Sequence, residues 1–270
     1  MLIKDFIFNN IKLSDMGYMM CSFDGDMDTI MVGSHITFNT TKSANNNSRR
    51  YTSVTFEEVL TTKFQIAKYD CKNDVLSYLD IDDVREIMRW LNCHANKKLI
   101  FLDDQDGYDQ VFFLGSFPTI DIIRKGSRIV GLELTFVSCL SYALSHDVIS
   151  TFNVSESGTI ILRNDDDCYG YNIPKKIEIE VLQDGLLYID NNVSGLRTSI
   201  ANCTSGEVIT IDGNILWLES SDNNHDIHND FNYNFIKIVR NEETDENTLT
   251  FSLPCKITVI SNYIRKVGII

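Results

Sequence analysis

The sequence lacks the long apolar runs that mark membrane and exported proteins. No segment approaches the ~20 consecutive apolar residues that a membrane-spanning helix needs. The chain meets an acid at Asp5 and two amides at Asn9 and Asn10 before any apolar stretch long enough for a signal peptide. We therefore expect no membrane insertion, and assembly in the cytoplasm of the cell that makes the protein.

Positive charge is also scarce. The 270 residues contain 24 Lys and Arg against 38 Asp and Glu, which gives a formal net charge of -14. Phosphate recognition needs clustered Lys and Arg, and no basic stripe runs along the sequence, so we expect no specific nucleic-acid binding. Two interpretations of the acidity stay open. It favours solubility through self-repulsion, or it forms an acidic wall that keeps a passing polyanion from adhering.

Cysteine is present without a recognisable pattern. The seven cysteines are an odd number, lie far apart and form no Cys-x-x-Cys motif. We predict reduced thiols in a protein that folds in the cytosol. The composition does supply apolar residues: 43% of the chain is hydrophobic and 10% is aromatic, which is enough for real cores in two domains.

The first half of the chain is patterned mostly as β-strands. Residues 39–50 are Asn, Ser, Thr, Lys and Arg, which cannot bury apolar surface and predict an exposed loop or hairpin tip. Two apolar runs flank Asp106-Gly107, a pair typical of a tight hairpin turn. Residues 129–137 alternate apolar and polar side chains, which predicts a strand in a sheet with one wet face.

One helix is predicted over residues 82–92. Its apolar residues Val84, Ile87, Met88 and Leu91 recur at the spacing of one helical face, and aspartates stand at its start to cap the free amides. We interpret Trp90 as a residue that packs this helix onto a sheet together with Ile87 and Leu91.

The second half reads as strand after strand, with turns rich in Asn, Asp and Gly at a spacing typical of an antiparallel sandwich. A domain boundary is placed near His146, which gives domains 1–145 and 146–270. The predicted strands are 176–182, 186–189, 197–200, 207–212, 215–218, 235–239, 248–252 and 256–263. The fold class is therefore mainly β.

No residue pattern signals a metal, a cofactor or a catalytic centre. His225 and His228 lie among aspartates in residues 222–230, where a metal site is conceivable, but a solvated loop is the favoured interpretation. Asp24-Gly25-Asp26-Met27-Asp28 departs from a calcium loop, and it is interpreted as a turn, as is Asp165–Asp167. We expect no metal, no cofactor and no catalytic residues.

Nucleophile and saccharide signatures are equally weak. No serine occupies a Gly-x-Ser-x-Gly elbow, and Cys93 and His94 are sequence neighbours whose side chains point in different directions. Paired carboxylates that act on glycosides cannot be recognised from sequence alone. Trp90 and Trp217 are interpreted as core or interface residues rather than as sugar-stacking platforms.

Several loose motifs recur in an order that resembles one known family. They are Phe6-Ile7-Phe8-Asn9-Asn10 near the start, Arg89-Trp90-Leu91 and Leu132-Glu133-Leu134-Thr135-Phe136 in the middle, Gly206–Asp212 in the second half, and Arg265-Lys266-Val267-Gly268 near the end. In this order they resemble the distal tail protein of long-tailed bacteriophages and prophages, and the resemblance covers nearly the whole chain.

The resemblance implies a structural role at a virion tail tip. It implies an N-terminal, β-sandwich-like ring-forming domain with one helix and a C-terminal galectin-like β-sandwich. Six copies would close a ring that joins the major tail tube protein to the tail-associated baseplate protein, with DNA passing through the channel. Within the polar hairpin, we expect Asn39, Asn46, Arg49 and Arg50 to contact a neighbouring subunit. The alternative is a tail adhesin that binds cell-wall glycan.

Overall fold

A computed structural model describes residues 3–23, 36–42, 49–56, 59–70, 75–103, 110–155 and 158–266. The chain divides into two compact units. The N-terminal unit comprises residues 1–144 together with residues 265–270, and the C-terminal unit comprises residues 145–264. Asp24–Asp28, Asn46 and the Asp106-Gly107 turn lie outside the described residues.

The N-terminal unit contains most of its chain in strands, with one helix, α1, at Ile81–Leu91 and a short 3-10 turn at Ser14–Met16. Its strands are β1 Ile3–Phe8, β2 Ile11–Lys12, β3 Tyr18–Cys21, β4 Ile36–Lys42, β5 Arg49–Phe56, β6 Thr61–Asp70, β7 Val75–Ser77, β8 Lys97–Asp103, β9 Val111–Lys125, β10 Arg128–Ser138 and β11 Ala143–Ser145.

The main sheet of this unit runs in the order β2-β1-β8-β9-β10-β6-β3. Strand β10 lies between β9 and β6, and both pairings are antiparallel. Leu132, Leu134 and Phe136 are fully buried on one face of β10, whereas Glu133 and Thr135 on the other face are half-buried. Residues 129–137, whose alternation predicted a strand, therefore lie in the middle of the sheet with one face on the core.

Helix α1 begins with a reciprocal capping box. The Asp80 carboxylate accepts a hydrogen bond from the Asp83 amide at 2.8 Å, and the Asp83 carboxylate accepts one from the Asp80 amide at 3.1 Å. The buried face differs from the predicted one at one position. Met88 is 46% exposed, whereas the buried residues of the helix are Val84, Ile87, Trp90 and Leu91.

An aromatic cluster fills the space between α1 and the sheet. The Trp90 ring stacks on Phe6 with a centroid distance of 5.8 Å, and its Nε1 donates to the Phe8 carbonyl at 3.1 Å. Phe6 in turn meets Phe64 edge-to-face at 5.3 Å, and Phe8 meets Phe117 at 5.0 Å. Trp90 is thus a large apolar side chain whose one polar group is satisfied within the core.

The C-terminal unit contains a second set of strands and one short helix, α2, at Ile227–Asp230. The strands are β12 Val148–Val154, β13 Thr159–Arg163, β14 Gly170–Asn172, β15 Lys176–Val181, β16 Gly185–Asn191, β17 Arg197–Cys203, β18 Val208–Asp212, β19 Trp217–Ser220, β20 Ile238–Arg240, β21 Glu246–Phe251, β22 Cys255–Ser261 and β23 Ile264–Arg265, which ends in the N-terminal unit.

Two antiparallel sheets form a sandwich in this unit. One has the order β12-β22-β15-β18-β19 and the other β13-β21-β16-β17. Alternate residues of both sheets, such as Ile179 and Ile257 in the first and Ile189 and Leu249 in the second, belong to one buried core. The mainly β, antiparallel architecture predicted from the sequence is confirmed.

Buried amides hold the β20 segment beside the second sheet. Asn191 Nδ2 donates to the Lys237 carbonyl at 2.7 Å, and Asn247 Nδ2 donates to the Val239 carbonyl at 2.8 Å. Asn164, which is fully buried, donates to the Ile238 carbonyl at 2.8 Å. Strand β20 also pairs antiparallel with β14, and the strand predicted at 235–239 is regular only over Ile238–Arg240.

The polar stretch around Asp165 differs from its prediction. Asn164 and Asp166 are buried, and Asp166 accepts hydrogen bonds from the Ile264 amide at 2.7 Å and from Asn172 Nδ2 at 3.2 Å. The interpretation of Asp165–Asp167 as a turn did not anticipate this burial, because partners distant in the sequence satisfy the polar groups. Strands β12 to β14, which surround this stretch, were not predicted.

The cysteines in the described part of the chain are free thiols. Burial raises the pKa of the Cys203 and Cys255 thiols to about 11, so both remain protonated at neutral pH. Over the same residues, no helix has the length and apolar character required to span a membrane.

The burial of Trp90 generates a first test. Trp90→Ala should lower the free energy of unfolding by about 3–5 kcal/mol because it leaves a cavity between α1 and the sheet. Met88→Ala, on the exposed side of the same helix, should cost less than about 1 kcal/mol. Urea unfolding followed by circular dichroism measures both. Equal stability of the two variants would contradict the packing described here.

Candidate subunit-contact site

The polar segment predicted as a hairpin forms a two-stranded ribbon, β4–β5, which we call the basic ribbon. Strand β4 pairs antiparallel with β5, with Ile36 opposite Phe56 at one end and Lys42 opposite Arg49 at the other. Side chains also cross between the strands: Asn39 Nδ2 donates to Ser53 Oγ at 3.0 Å. Thr residues favour strands, and the register also pairs the apolar residues Ile36 with Phe56 and Phe38 with Val54.

The four predicted contact residues map onto this ribbon as follows. Asn39 is half-buried within β4, Arg50 is exposed in β5, and Arg49 begins β5. Asn46 lies outside the described residues. The other named residues, Ile87, Trp90 and Leu91, lie in the core of the N-terminal unit rather than near its surface.

The basic ribbon pairs with no third strand among the residues that the structure describes. Of the ribbon side chains whose burial is described, Phe38 is 61% exposed, Asn39 is half-buried, and none belongs to a buried core. An isolated two-stranded hairpin is marginally stable in water, because it has no sheet neighbour and no apolar face to cover. The two strands of the ribbon, of seven and eight residues, have free edges that are suited to pairing with another surface.

One end of the basic ribbon concentrates positive charge. The register places Lys42 opposite Arg49 and Thr41 opposite Arg50, so three basic residues share the end farthest from Ile36. Like charges on directly opposite residues destabilise a strand pair. An acidic surface against this end would relieve that repulsion, and the chain as a whole has a net charge of -14.

A second polar constellation, in the C-terminal unit, is buried rather than solvated. His225 Nδ1 lies 2.5 Å from Glu207 Oε1, and the two side chains are 2% and 0% exposed. His225 Nε2 lies 3.2 Å from Asp230 Oδ2, an ion-pair contact without hydrogen-bond alignment. The solvated-loop interpretation of residues 222–230 is therefore wrong for His225, because Glu207 offers it a buried charged partner.

Opposing effects set the protonation of His225. Burial acts to lower the pKa of His225, but the hydrogen bond to Glu207 and the charges of Glu207 and Asp230 outweigh it, so the pKa is raised above its ordinary value of 6.5. Glu207 is fixed from both sides, because it also accepts from Ser220 Oγ at 2.5 Å and from the Thr204 amide at 2.9 Å. This cluster anchors the segment that leads into α2.

The remaining candidate residues do not converge on a reactive centre. Among the described residues, no three His, Cys, Asp or Glu side chains are placed to share a metal ion. Cys93 Sγ donates to the Ala95 carbonyl at 3.1 Å. Trp217 is not a core residue: it is 51% exposed, and its ring packs against the His228 ring at a centroid distance of 4.4 Å.

The fold and this site define a mainly β protein of two antiparallel units that carries a two-stranded ribbon. Comparison with known families assigns such a chain directly. A family profile described as a phage tail protein N-terminal domain matches residues 1–139, and one described as a phage tail C-terminal domain matches residues 142–261. The chain belongs to this family of phage tail proteins. None of the curated protein sequences matches it.

Solved structures show the fold. The Dit protein of phage SPP1, described as a paradigm of the hub adsorption apparatus in phages that infect Gram-positive bacteria, is similar with a TM-score of 0.64 and 8% identity, over 97% of this chain and 99% of that one. The resemblance to distal tail proteins inferred from the sequence is confirmed.

Two chains from the baseplate of phage p2 in its activated conformation are also similar. The chain solved with Ca has a TM-score of 0.46 and 9% identity, over 97% of this chain and 98% of that one. The chain solved with Sr has a TM-score of 0.49 and 8% identity, over 96% and 98%.

The His225 cluster predicts pH-dependent stability. Because the folded-state pKa is raised, protonated His225 stabilises the C-terminal unit fully below pH ~6.5, and this contribution is lost as the pH rises through the folded-state pKa. His225→Gln should therefore cost on the order of 3 kcal/mol at pH 6 and less at pH 9. His94→Gln, at an exposed position, is the matched control.

The measurement is urea unfolding of the three proteins at both pH values, with an NMR titration of the His225 ring. Equal losses at pH 6 and pH 9, or a ring that titrates below 6.5, would contradict the assignment.

Proposed function

We propose that this chain is a distal tail protein that forms a hexameric ring hub at the tip of a phage or prophage tail. The ring joins the major tail tube protein to the tail-associated baseplate protein, and the genome passes through its centre. The single observation that carries this proposal is the basic ribbon, for which the described part of the chain offers no third strand. Family membership and the fold shared with a hub protein support it.

Residues 1–145 are assigned as the ring-forming domain and residues 146–270 as a galectin-like sandwich. Repeated contacts between identical subunits close into a ring or extend into a filament, and a tail tip needs the closed form. The basic ribbon supplies one half of such a contact: Asn39, Asn46, Arg49 and Arg50 lie against the next subunit, whose acidity balances the cations at its end. The protein has no catalytic residues, no cofactor and no metal, and its location is the virion tail tip.

One observation favours a second candidate function. Trp217 is half-exposed and held against His228, as an aromatic platform for a sugar ring would be. The second candidate is therefore an adhesin that binds cell-wall glycan through the C-terminal unit. A pull-down on purified cell walls tests the second function, because an adhesin of this kind binds the walls and its Trp217→Ala variant does not.

The ring proposal is tested by removing the basic ribbon. Replacing residues 36–56 with a short Gly-Ser linker should convert the ring to smaller species, because the contact with the neighbour is lost while the buried core is untouched. Multi-angle light scattering with negative-stain images measures the outcome.

A charge variant serves as the finer probe. Lys42→Glu with Arg50→Glu should weaken self-association, whereas Arg85→Glu with Arg89→Glu, an equal charge change at exposed positions of α1, should not. An intact ring after deletion of the ribbon would refute its assigned role.

A further inference from the structure

The negative charge of this protein is divided unevenly between its units. Residues 145–264 contain nineteen Asp and Glu against seven Lys and Arg, a net charge of -12. The rest of the chain contains nineteen against seventeen, a net charge of -2. Both units are net negative, so net charge disfavours the approach of two C-terminal units most, and a contact made by the C-terminal unit needs local cations on the surface that meets it.

The N-terminal unit presents exposed cations at the turn between β9 and β10, which we call the β9–β10 tip. Arg124, Lys125 and Arg128 are all exposed, and the register places Lys125 directly opposite Arg128. Within the described ranges, neither Arg124 nor Lys125 forms an ion pair, and Arg128 lies over the Tyr78 ring at 4.7 Å. The tip thus carries like-charge repulsion that nothing described in the chain offsets.

Several cations elsewhere in the protein are paired with carboxylates. Lys68 Nζ lies 2.6 Å from Asp83, Lys175 Nζ lies 2.6 Å from Asp147, and Arg197 Nε lies 2.7 Å from Asp190. The β9–β10 tip differs from these sites because its cations have no such ion pair among the described residues and Lys125 stands directly opposite Arg128. An acidic surface of another molecule would supply the counter-charge.

The C-terminal unit presents an aromatic surface with acidic residues at its margin, which we call the Trp217 surface. It consists of Leu216, Trp217 and Tyr233 with Asp212, Glu219 and Asp226. Trp217 and Tyr233 are 51% and 64% exposed. Both are held through His228, whose ring packs against Trp217 and whose carbonyl accepts a hydrogen bond from Tyr233 Oη at 3.0 Å.

Two bulky residues of this surface have strained backbone conformations. Leu216 and Tyr233 have φ values of 53° and 58°, in the left-handed region that favours Gly or Asn. Such conformations cost on the order of 1 kcal/mol or more for a bulky residue. Asp212 stands opposite Trp217 in the β18–β19 pair, and Glu219 follows two residues later on the same face.

We propose that the β9–β10 tip of one copy docks on the Trp217 surface of another copy. Arginine and exposed Trp and Tyr are the residue types that dominate protein interfaces, and a guanidinium over an indole face is a favourable pair. The acidic margin neutralises the tip and repels nucleic acid and other polyanions. Because the two surfaces differ and lie on the same chain, the contact repeats head to tail, as a closed ring requires.

This contact rests on the proposed self-assembly and adds a second, separate interface to the basic ribbon. A charge swap tests it. The tip variant is Arg124→Glu, Lys125→Glu and Arg128→Glu, and the margin variant is Glu219→Lys and Asp226→Lys. Each alone should weaken self-association about tenfold or more at 50 mM NaCl, because like charges then face each other. Mixed in equal amounts, the two variants should assemble again, because opposite charges are restored in both directions.

The matched control for the tip variant is Arg85→Glu, Arg89→Glu and Lys256→Glu. It changes the net charge by the same amount at exposed positions outside the tip. It should assemble as the unaltered protein does. Light scattering measures the masses, and thermal unfolding by circular dichroism establishes that every variant is folded.

Two outcomes would overturn the proposal while leaving the ring hub intact. Either the tip and margin variants assemble as well as the unaltered protein, or their mixture stays dissociated. In the first case the Trp217 surface serves a different partner, such as a saccharide. An unaltered protein that remains monomeric at every salt concentration would contradict both this contact and the proposed function.

Discussion

A two-stranded β-ribbon has one layer, and water competes for its outer hydrogen-bonding groups on both edges. The main sheet of the N-terminal unit avoids this problem by packing α1 and its aromatic cluster against one face, and the C-terminal unit avoids it by placing two sheets face to face. Strands β4 and β5 have neither solution within the described chain. A hub built from repeated copies supplies the missing layer from the next subunit, and this requirement connects the fold to the proposed ring.

Charge directs the same assembly. Basic residues stand opposite each other at one end of the basic ribbon, where Lys42 faces Arg49, and at the β9–β10 tip, where Lys125 faces Arg128. Each arrangement is unfavourable in an isolated chain and favourable against an acidic neighbour. The C-terminal unit, with a net charge of -12, is such a neighbour. A protein assembled in this way would form contacts that depend on ionic strength, with apolar residues such as Trp217 limiting that dependence.

Sequence patterns predicted elements whose cause is local and missed those whose cause is distant. The capping box of α1 and the alternation of β10 depend on neighbouring residues, and the sequence predicted both elements. The burial of His225 was not predictable, because its partner Glu207 is eighteen residues away and polar residues in a row normally indicate exposure. The burial of Asn164 was not predictable either, because the carbonyl that accepts its hydrogen bond is seventy-four residues distant.

The central claim is that identical copies close into a ring. The most direct test is the mass of the unaltered protein by light scattering, with negative-stain class averages of the same sample. The account predicts a particle of six 30.8 kDa chains with a central hole. A single chain of 30.8 kDa at every concentration and salt condition, or an open filament without a fixed mass, would contradict it.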